Sequence, residues 1–243
     1  MQPFLIALQF LTSLPVRLRD MPMPEAIGRS LLYYPLVGLL LGAMLWLAGD
    51  VLERTALPLQ AALILAIWVA LTGALHLDGL ADSADAWLGG FGDRDRTLAI
   101  MKDPRSGPIA VVVLVLLLVL KFTALWALLG DGQRLGLLLA PLLGRSAVLG
   151  LFLTTPYVRP GGLGQALAEQ LPRAPVRWVL SMVAVLCLLM VEAGWLALAV
   201  TLVVATLARR AMCRRLGGTT GDTAGALVEL VECAVLVALA LRL

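Results

Sequence analysis

Apolar residues run along this chain in seven long stretches, approximately 31–49, 58–75, 108–129, 135–155, 177–192, 195–208 and 222–241. Crossing a bilayer as a helix takes about 20 predominantly apolar residues, so most of these stretches predict transmembrane helices. The segment 177–208 could be one very long helix, but Glu192-Ala-Gly194 reads as a tight turn that makes it a helical hairpin. An eighth apolar segment, 3–14, is too short to span. Its positive charges, Arg17 and Arg19, follow it instead of preceding it, which argues for an interfacial helix within residues 1–30 and against a cleavable signal peptide.

Composition agrees. The chain is 60% hydrophobic and only 14% charged, against roughly 45–50% and about 25% in soluble domains. The predicted fold is therefore an all-α, polytopic membrane bundle of about seven helices, forming one domain over residues 1–243. Basic residues orient it. With the N-terminus in the cytoplasm, inside segments carry Arg17, Arg19, Arg29, Arg94, Arg96, Lys102, Arg105, Arg159, Arg173, Arg177, Arg209, Arg210, Arg214 and Arg215. Outside segments carry only Arg54, Arg134 and Arg242, and fourteen against three is a positive-inside signal. Lys121 and Arg145 fall within spans, and Lys121 is placed to snorkel toward the outer surface. The net charge of +3 reflects loops facing anionic lipid and implies no nucleic acid. Cys187, Cys213 and Cys233 have no metal-binding spacing and read as packing residues. His76, the only histidine, cannot build a zinc site by itself.

Two polar constellations interrupt this pattern. The run His76-Leu-Asp-Gly-Leu-Ala-Asp-Ser-Ala-Asp85 puts Asp78, Asp82 and Asp85 on one helical face. Three carboxylates without an interleaved cation repel one another, and a hard divalent ion such as Mg²⁺, completed by substrate phosphates, relieves that repulsion. The second constellation is Gly217-Gly-Thr-Thr-Gly-Asp222, followed at helical spacing by Gly225, Glu229 and Glu232. Glycines and threonines at a helix N-terminus suit an anion or a metal-bound phosphate. Burying carboxylates within a span without a counter-charge is costly, which gives Asp222, Glu229 and Glu232 an expected functional role.

Arg145 lies mid-span, at a cost of at least about 2.5 kcal/mol. It predicts either an ion pair with Glu229 or Glu232 or a contact to substrate phosphate. The segment 76–107, with Gly89-Gly90-Phe91-Gly92 and Met101-Lys-Asp-Pro-Arg-Ser-Gly107, reads as a folded cytoplasmic active-site loop. The Pro- and Gly-rich segment 156–176 reads as irregular surface structure. The expected metal ligands are Asp78, Asp82, Asp103 and Asp222. Asp85 is the expected general base or a further ligand, and Asp82 shares the catalytic face. Lys102, Arg105, Arg145, Arg214, Arg215 and Thr220 are expected on the substrate. Such a pocket suits Mg²⁺-assisted transfer of a phosphate-linked group.

At these residues the sequence resembles the cobalamin synthase family, the adenosylcobinamide-GDP ribazoletransferases. The resemblance rests on Gln9-Phe10-Leu-Thr-Ser-Leu-Pro15-Val16, Tyr34-Pro35-Leu-Val-Gly38, His76 to Asp82, Met101-Lys-Asp103, Gly144-Arg145 and Thr220-Gly-Asp222 with Gly225-Ala226. One departure is Ala110, where the family pattern leads one to expect glycine. The resemblance implies Mg²⁺, the bacterial inner membrane, and corrinoid and nucleoside substrates. It also implies a reaction: adenosylcobinamide-GDP and α-ribazole, or its 5′-phosphate, give adenosylcobalamin, or its 5′-phosphate, and GMP. Asp78-Gly79 and the spaced acids offer a chemical analogy with CDP-alcohol phosphotransferases, although the longer pattern of that family is absent. A corrinoid or cation transporter is the rival outside enzymes, and a homo-oligomer stays open.

Overall fold

The structure, a computed structural model, describes residues 2–18, 20–161 and 163–242, with all their side chains except those of Leu163, Val191 and Glu192. Arg19 and the Glu192 side chain lie outside the described set, as does Gly162 of the segment 156–176. Among the described residues the regular elements are helical, apart from one isolated β-bridge. A short α1 (Gln2–Leu11) and α2 (Pro24–Ser30) lead through a 3₁₀ turn into α3 (Tyr34–Val51). Then come α4 (Leu57–Thr72), α5 (Leu75–Gly89), α6 (Arg94–Ile100), α7 (Pro108–Gly130) and α8 (Leu135–Thr154). The chain ends with α9 (Leu163–Glu169), α10 (Arg173–Leu189), α11 (Val191–Leu216) and α12 (Gly221–Ala240).

Each of the seven predicted spans falls on a helix, but they are not equally able to cross a bilayer. Five helical segments are long and apolar enough, and α4 with α5 makes a sixth crossing if the pair is one broken span. The remaining segment, α10, has 17 residues. Its partner α11 starts after a turn at Met190, slightly earlier than the Glu192-to-Gly194 turn expected. Leu180 and Ala184 of α10 share a groove with Leu198 and Leu202 of α11, so the two lie side by side as a hairpin.

Burial ranks the helices. The most apolar stretch of α8 is 83% buried and that of α12 is 72%, against 28% for α7 and 17% for α11. α8 and α12 therefore form the centre, and α7 and α11 lie at the periphery. Glycine permits the tightest approach. A Cβ on Gly38 would collide with the Pro141 carbonyl oxygen, so α3 meets α8 backbone to backbone at Pro141, inside α8.

The segment 76–107 is more ordered than a loop, since α5 and α6 occupy most of it. Gly73 and Ala74 both adopt left-handed conformations, φ +59° and +57°, and there the chain bends by 87° between α4 and α5. Ala at positive φ costs roughly 1–2 kcal/mol. That cost is offset by packing, because the apolar face of α5 (Leu77, Leu80) seats against Leu117 of α7 and Ala226 of α12. The bend directs the acidic run of α5 toward the first turn of α12.

Candidate active site

The start of α12 is held by reciprocal side-chain bonds. Thr220 Oγ1 accepts from the Thr223 amide at 3.2 Å, and Thr223 Oγ1 accepts from the Thr220 amide at 2.9 Å. This capping box satisfies donors that a helix N-terminus otherwise strands. Gly217, left-handed at φ +75°, ends α11 and turns the chain into this cap. The turn is pinned to residues 156–158 by the Val158 amide on Thr219 O and the Thr219 amide on Pro156 O, each at 2.9 Å. That pairing carries Arg159 to Asp222, and Arg159 Nη1 donates to Asp222 Oδ2 at 2.5 Å.

α5 meets this turn at Gly79. A Cβ there would lie 2.7 Å from the Asp222 carbonyl oxygen, so only glycine lets the two helices touch. Between them opens a cleft of about 450 Å³. Asp78, Asp222, Lys102, Arg159 and His76 line it, together with Phe10, Tyr34, Phe152 and Tyr157. Asp82 lies one turn along α5 from Asp78, half-buried, within electrostatic range of Asp78, Asp222 and Arg159. The Tyr157 phenol is pushed above its usual range by burial and by Asp222, partly opposed by Arg159.

The cleft brings together only part of the expected set. Asp78, Asp222 and Lys102 line it. Asp85 caps α7, where its two oxygens accept from the Gly107 amide and, at 2.9 Å, the Ala110 amide. Asp103 binds Arg105 with both oxygens, at 2.9 and 2.6 Å, on the exposed surface. Hydrogen bonds from the Arg105 side chain and backbone hold the Asp103 carboxyl down at about 2. Arg215 donates to the Trp87 carbonyl and lies over the Trp87 ring, joining the ends of α5 and α11. Arg214 is exposed and does not line the cleft, and Thr220 is used as the cap.

Arg145 lies behind the cleft, fully buried, and pairs with Glu232. The structural ion pair is thus the member of the two expectations that the geometry supports. Lys121 corrects the snorkelling expectation. It turns inward, 3% exposed, to Glu229 at 2.7 Å and Glu232 at 2.6 Å. The two acids of α12 need those two cations, because an unpaired buried charge is far costlier than a paired one.

Sequence reasoning missed Arg159, counted above only as a topology charge, together with Phe152 and Tyr157, and it gave no role to Phe10, Tyr34 and His76 beyond their place in the family motifs. His76 is buried on the cleft wall with no hydrogen-bonding partner on Nε2 among the described residues. The available signal was Tyr157-Val-Arg-Pro160, chemistry-bearing residues between a span and a glycine turn.

Among the described residues no three His, Cys, Asp or Glu side chains are grouped tightly enough to hold a metal ion by themselves. Asp78 and Asp222 nevertheless present hard oxygen donors from two helices to one cleft. Mg²⁺ typically takes one or two carboxylates and completes its shell with water and substrate phosphates. The pair fits that ion, and Asp103, committed to Arg105, does not.

Fold and cleft define a helical integral membrane protein with a charged, aromatic-walled cleft at one end of the bundle. The chain belongs to the family described as cobalamin-5-phosphate synthase, whose sequence model matches residues 3–240. It is 68% identical over 243 residues, the whole of both chains, to the adenosylcobinamide-GDP ribazoletransferase of Pseudomonas putida strain F1. The protein of that name from Stutzerimonas stutzeri is 69% identical over 242 residues, covering 100% of this chain and 99% of its own. A third, from Pseudomonas savastanoi pv. phaseolicola, is 64% identical over 244 residues, covering 99% and 100%. No solved structure matches the chain.

Proposed function

We propose that this chain joins adenosylcobinamide-GDP to α-ribazole, or to α-ribazole 5′-phosphate, releasing GMP and the completed cobamide or its 5′-phosphate. The observation that carries this reading is the cleft itself. Asp78 of α5 and Asp222 of α12 face it beside Lys102 and Arg159, which suits a diphosphate between carboxylates and cations. The names of its relatives supply the substrates.

In the reaction the ribose 3′-hydroxyl of the ribazole forms a bond to the phosphorus attached to the aminopropanol linker. The bond from that phosphorus to the bridging oxygen breaks, and GMP leaves with the electron pair. Mg²⁺, held by Asp78 and Asp222, would neutralise the diphosphate as a Lewis acid. Lys102 and Arg159 bind the non-bridging oxygens, and Arg159 also fixes the Asp222 carboxylate. Asp82 takes the hydroxyl proton. Spacing along α5 points to Asp85 for that role, but its oxygens are committed to the α7 amides, whereas the Asp82 carboxyl has no hydrogen bond among the described residues. A positioned base contributes about 10²–10⁴-fold. We further propose that the cleft faces the cytoplasm across a bacterial inner membrane, which the fourteen-to-three distribution of basic residues supports.

The test is purified protein in detergent with Mg²⁺, adenosylcobinamide-GDP and α-ribazole, scored for GMP. Wild-type protein releases GMP and Asp82→Asn does not, while still inserting into membranes. Near-normal GMP release by Asp82→Asn overturns the role of that residue. No release by wild type overturns the function.

A further inference from the structure

The cleft has an aromatic lining as well as a charged one. Its charged residues belong to α5, α12 and the segments carrying Lys102 and Arg159. Three of its aromatic residues come from other helices, Phe10 from α1, Tyr34 from α3 and Phe152 from α8, and the fourth, Tyr157, shares a segment with Arg159 and joins the two linings. The rings form two near-parallel pairs. Phe10 and Tyr34 have centroids 6.4 Å apart and planes inclined by 26°, and Phe152 and Tyr157 are 6.1 Å apart and inclined by 18°. The only polar side-chain groups these four residues offer are two phenol hydroxyls.

We infer that this aromatic wall seats the base of the attacking nucleoside, a flat and largely apolar two-ring heterocycle. The inference rests on the proposed reaction, which brings two heterocycles to the site, the guanine of the leaving group and the base of the nucleophile. Guanine carries donors and acceptors around its edge, and each one buried against an aromatic wall without a partner is unfavourable. An alkylated benzimidazole has a carbocyclic edge with no such groups and loses nothing there. Size points the same way, since about 450 Å³ accommodates a nucleoside, while the corrin ring needs more room and stays at the mouth. With the base against the rings, its ribose extends toward Asp78 and Asp222, where the hydroxyl must meet phosphorus. The wall is thus a specificity determinant for the lower base.

The experiment uses the full chain in detergent with Phe10→Leu and Phe152→Leu. Phe10 is 36% exposed, so its replacement is the milder of the two, and melting temperature checks both variants. Binding of α-ribazole alone is measured by equilibrium dialysis, and steady-state constants are measured for both substrates. Base–aromatic stacking of about 1–3 kcal/mol predicts a Kd and a KM for α-ribazole raised roughly 10-fold. The KM for adenosylcobinamide-GDP stays within about 2-fold. An α-linked adenine nucleoside, whose polar edge the wall cannot pair, binds wild type more weakly than α-ribazole, and the Leu variants narrow that difference. A KM rise confined to adenosylcobinamide-GDP, or unchanged constants in both variants, overturns the inference. The two readings fail separately. GMP release with unmoved ribazole constants refutes the wall alone, whereas weakened ribazole binding without GMP release from wild type refutes the reaction and leaves the base site standing.

Discussion

Replacing Lys121 with methionine should destabilise the bundle severely, although Lys121 sits in the middle of an apolar helix. Its ammonium lies 2.7 Å from Glu229 and 2.6 Å from Glu232, and all three side chains are 5% exposed or less. At an effective dielectric of about 20, each contact is a gross attraction of about 6 kcal/mol. Most of that offsets the cost of removing the ions from water. Deleting one partner is different, because Arg145 alone would then face two buried carboxylates. Breaking a buried pair in this way costs about 3–5 kcal/mol. At about 2–4 °C per kcal/mol for a chain of this size, Lys121→Met should lower the apparent melting temperature in detergent by roughly 6–20 °C. Adding Glu229→Gln removes the stranded charge and should recover more than half of the loss. The reasoning fails if Lys121→Met melts within about 2 °C of the parent, or if the double variant melts below the single one.

Two further substitutions separate structure from chemistry. Asp85→Asn turns one acceptor of the α7 cap into a donor facing an amide, a loss of about 1–2 kcal/mol. It should therefore lower the melting temperature by roughly 2–8 °C, and lost turnover with unchanged melting would instead make Asp85 a reacting group. Gly79→Ala inserts a methyl 2.7 Å from the Asp222 carbonyl oxygen. Forcing α5 and α12 apart should cost about 1–3 kcal/mol and at least 10-fold in GMP release, and wild-type kinetics would show that this contact does not set the site.

The apolar stretches were legible because a span needs about 20 apolar residues and little else, and the acids of α5 and α12 were legible because charge is rare in such a chain. Four features were hidden, each for a physical reason. Ala74 carries no turn signal, so the 87° bend that points α5 at α12 could not be read from it. Lys121 has a long stem that reaches either a membrane surface or the interior, and its partners stand 108 and 111 residues away. Asp85 matched Asp78 and Asp82 in spacing, yet it bonds amides brought to it by the segment after α6. Arg159 and Tyr157 looked like surface loop because their order comes from pairing with the Gly-Gly-Thr-Thr turn some 60 residues later. Periodicity reports which face of a helix is special, and only tertiary contact says what that face meets.

The acidic stripe of α12 shows that distinction within one helix. Asp222 and Gly225 open on the cleft, while Glu229 and Glu232, two to three turns deeper, bind Lys121 and Arg145. An apolar interface would hold α12 about as firmly, since buried ion pairs replaced by well-packed apolar residues often leave stability unchanged or improved. Ion pairs add register. Each residue of slip rotates a helix by about 100°, which would turn Asp222 away from Asp78 and break its bond with Arg159. The charges deep in the bundle are therefore expected to act as positioning residues for the carboxylate at its end. Replacing all four at once (Lys121→Met, Arg145→Met, Glu229→Leu and Glu232→Leu) tests this against a purely stabilising role. The protein should melt no more than about 3 °C below wild type, yet GMP release should fall at least 10-fold, with Asp222→Asn costing less in that background than in wild type because the carboxylate has already lost its place. Turnover preserved within about 2-fold would show that packing alone sets the register of α12.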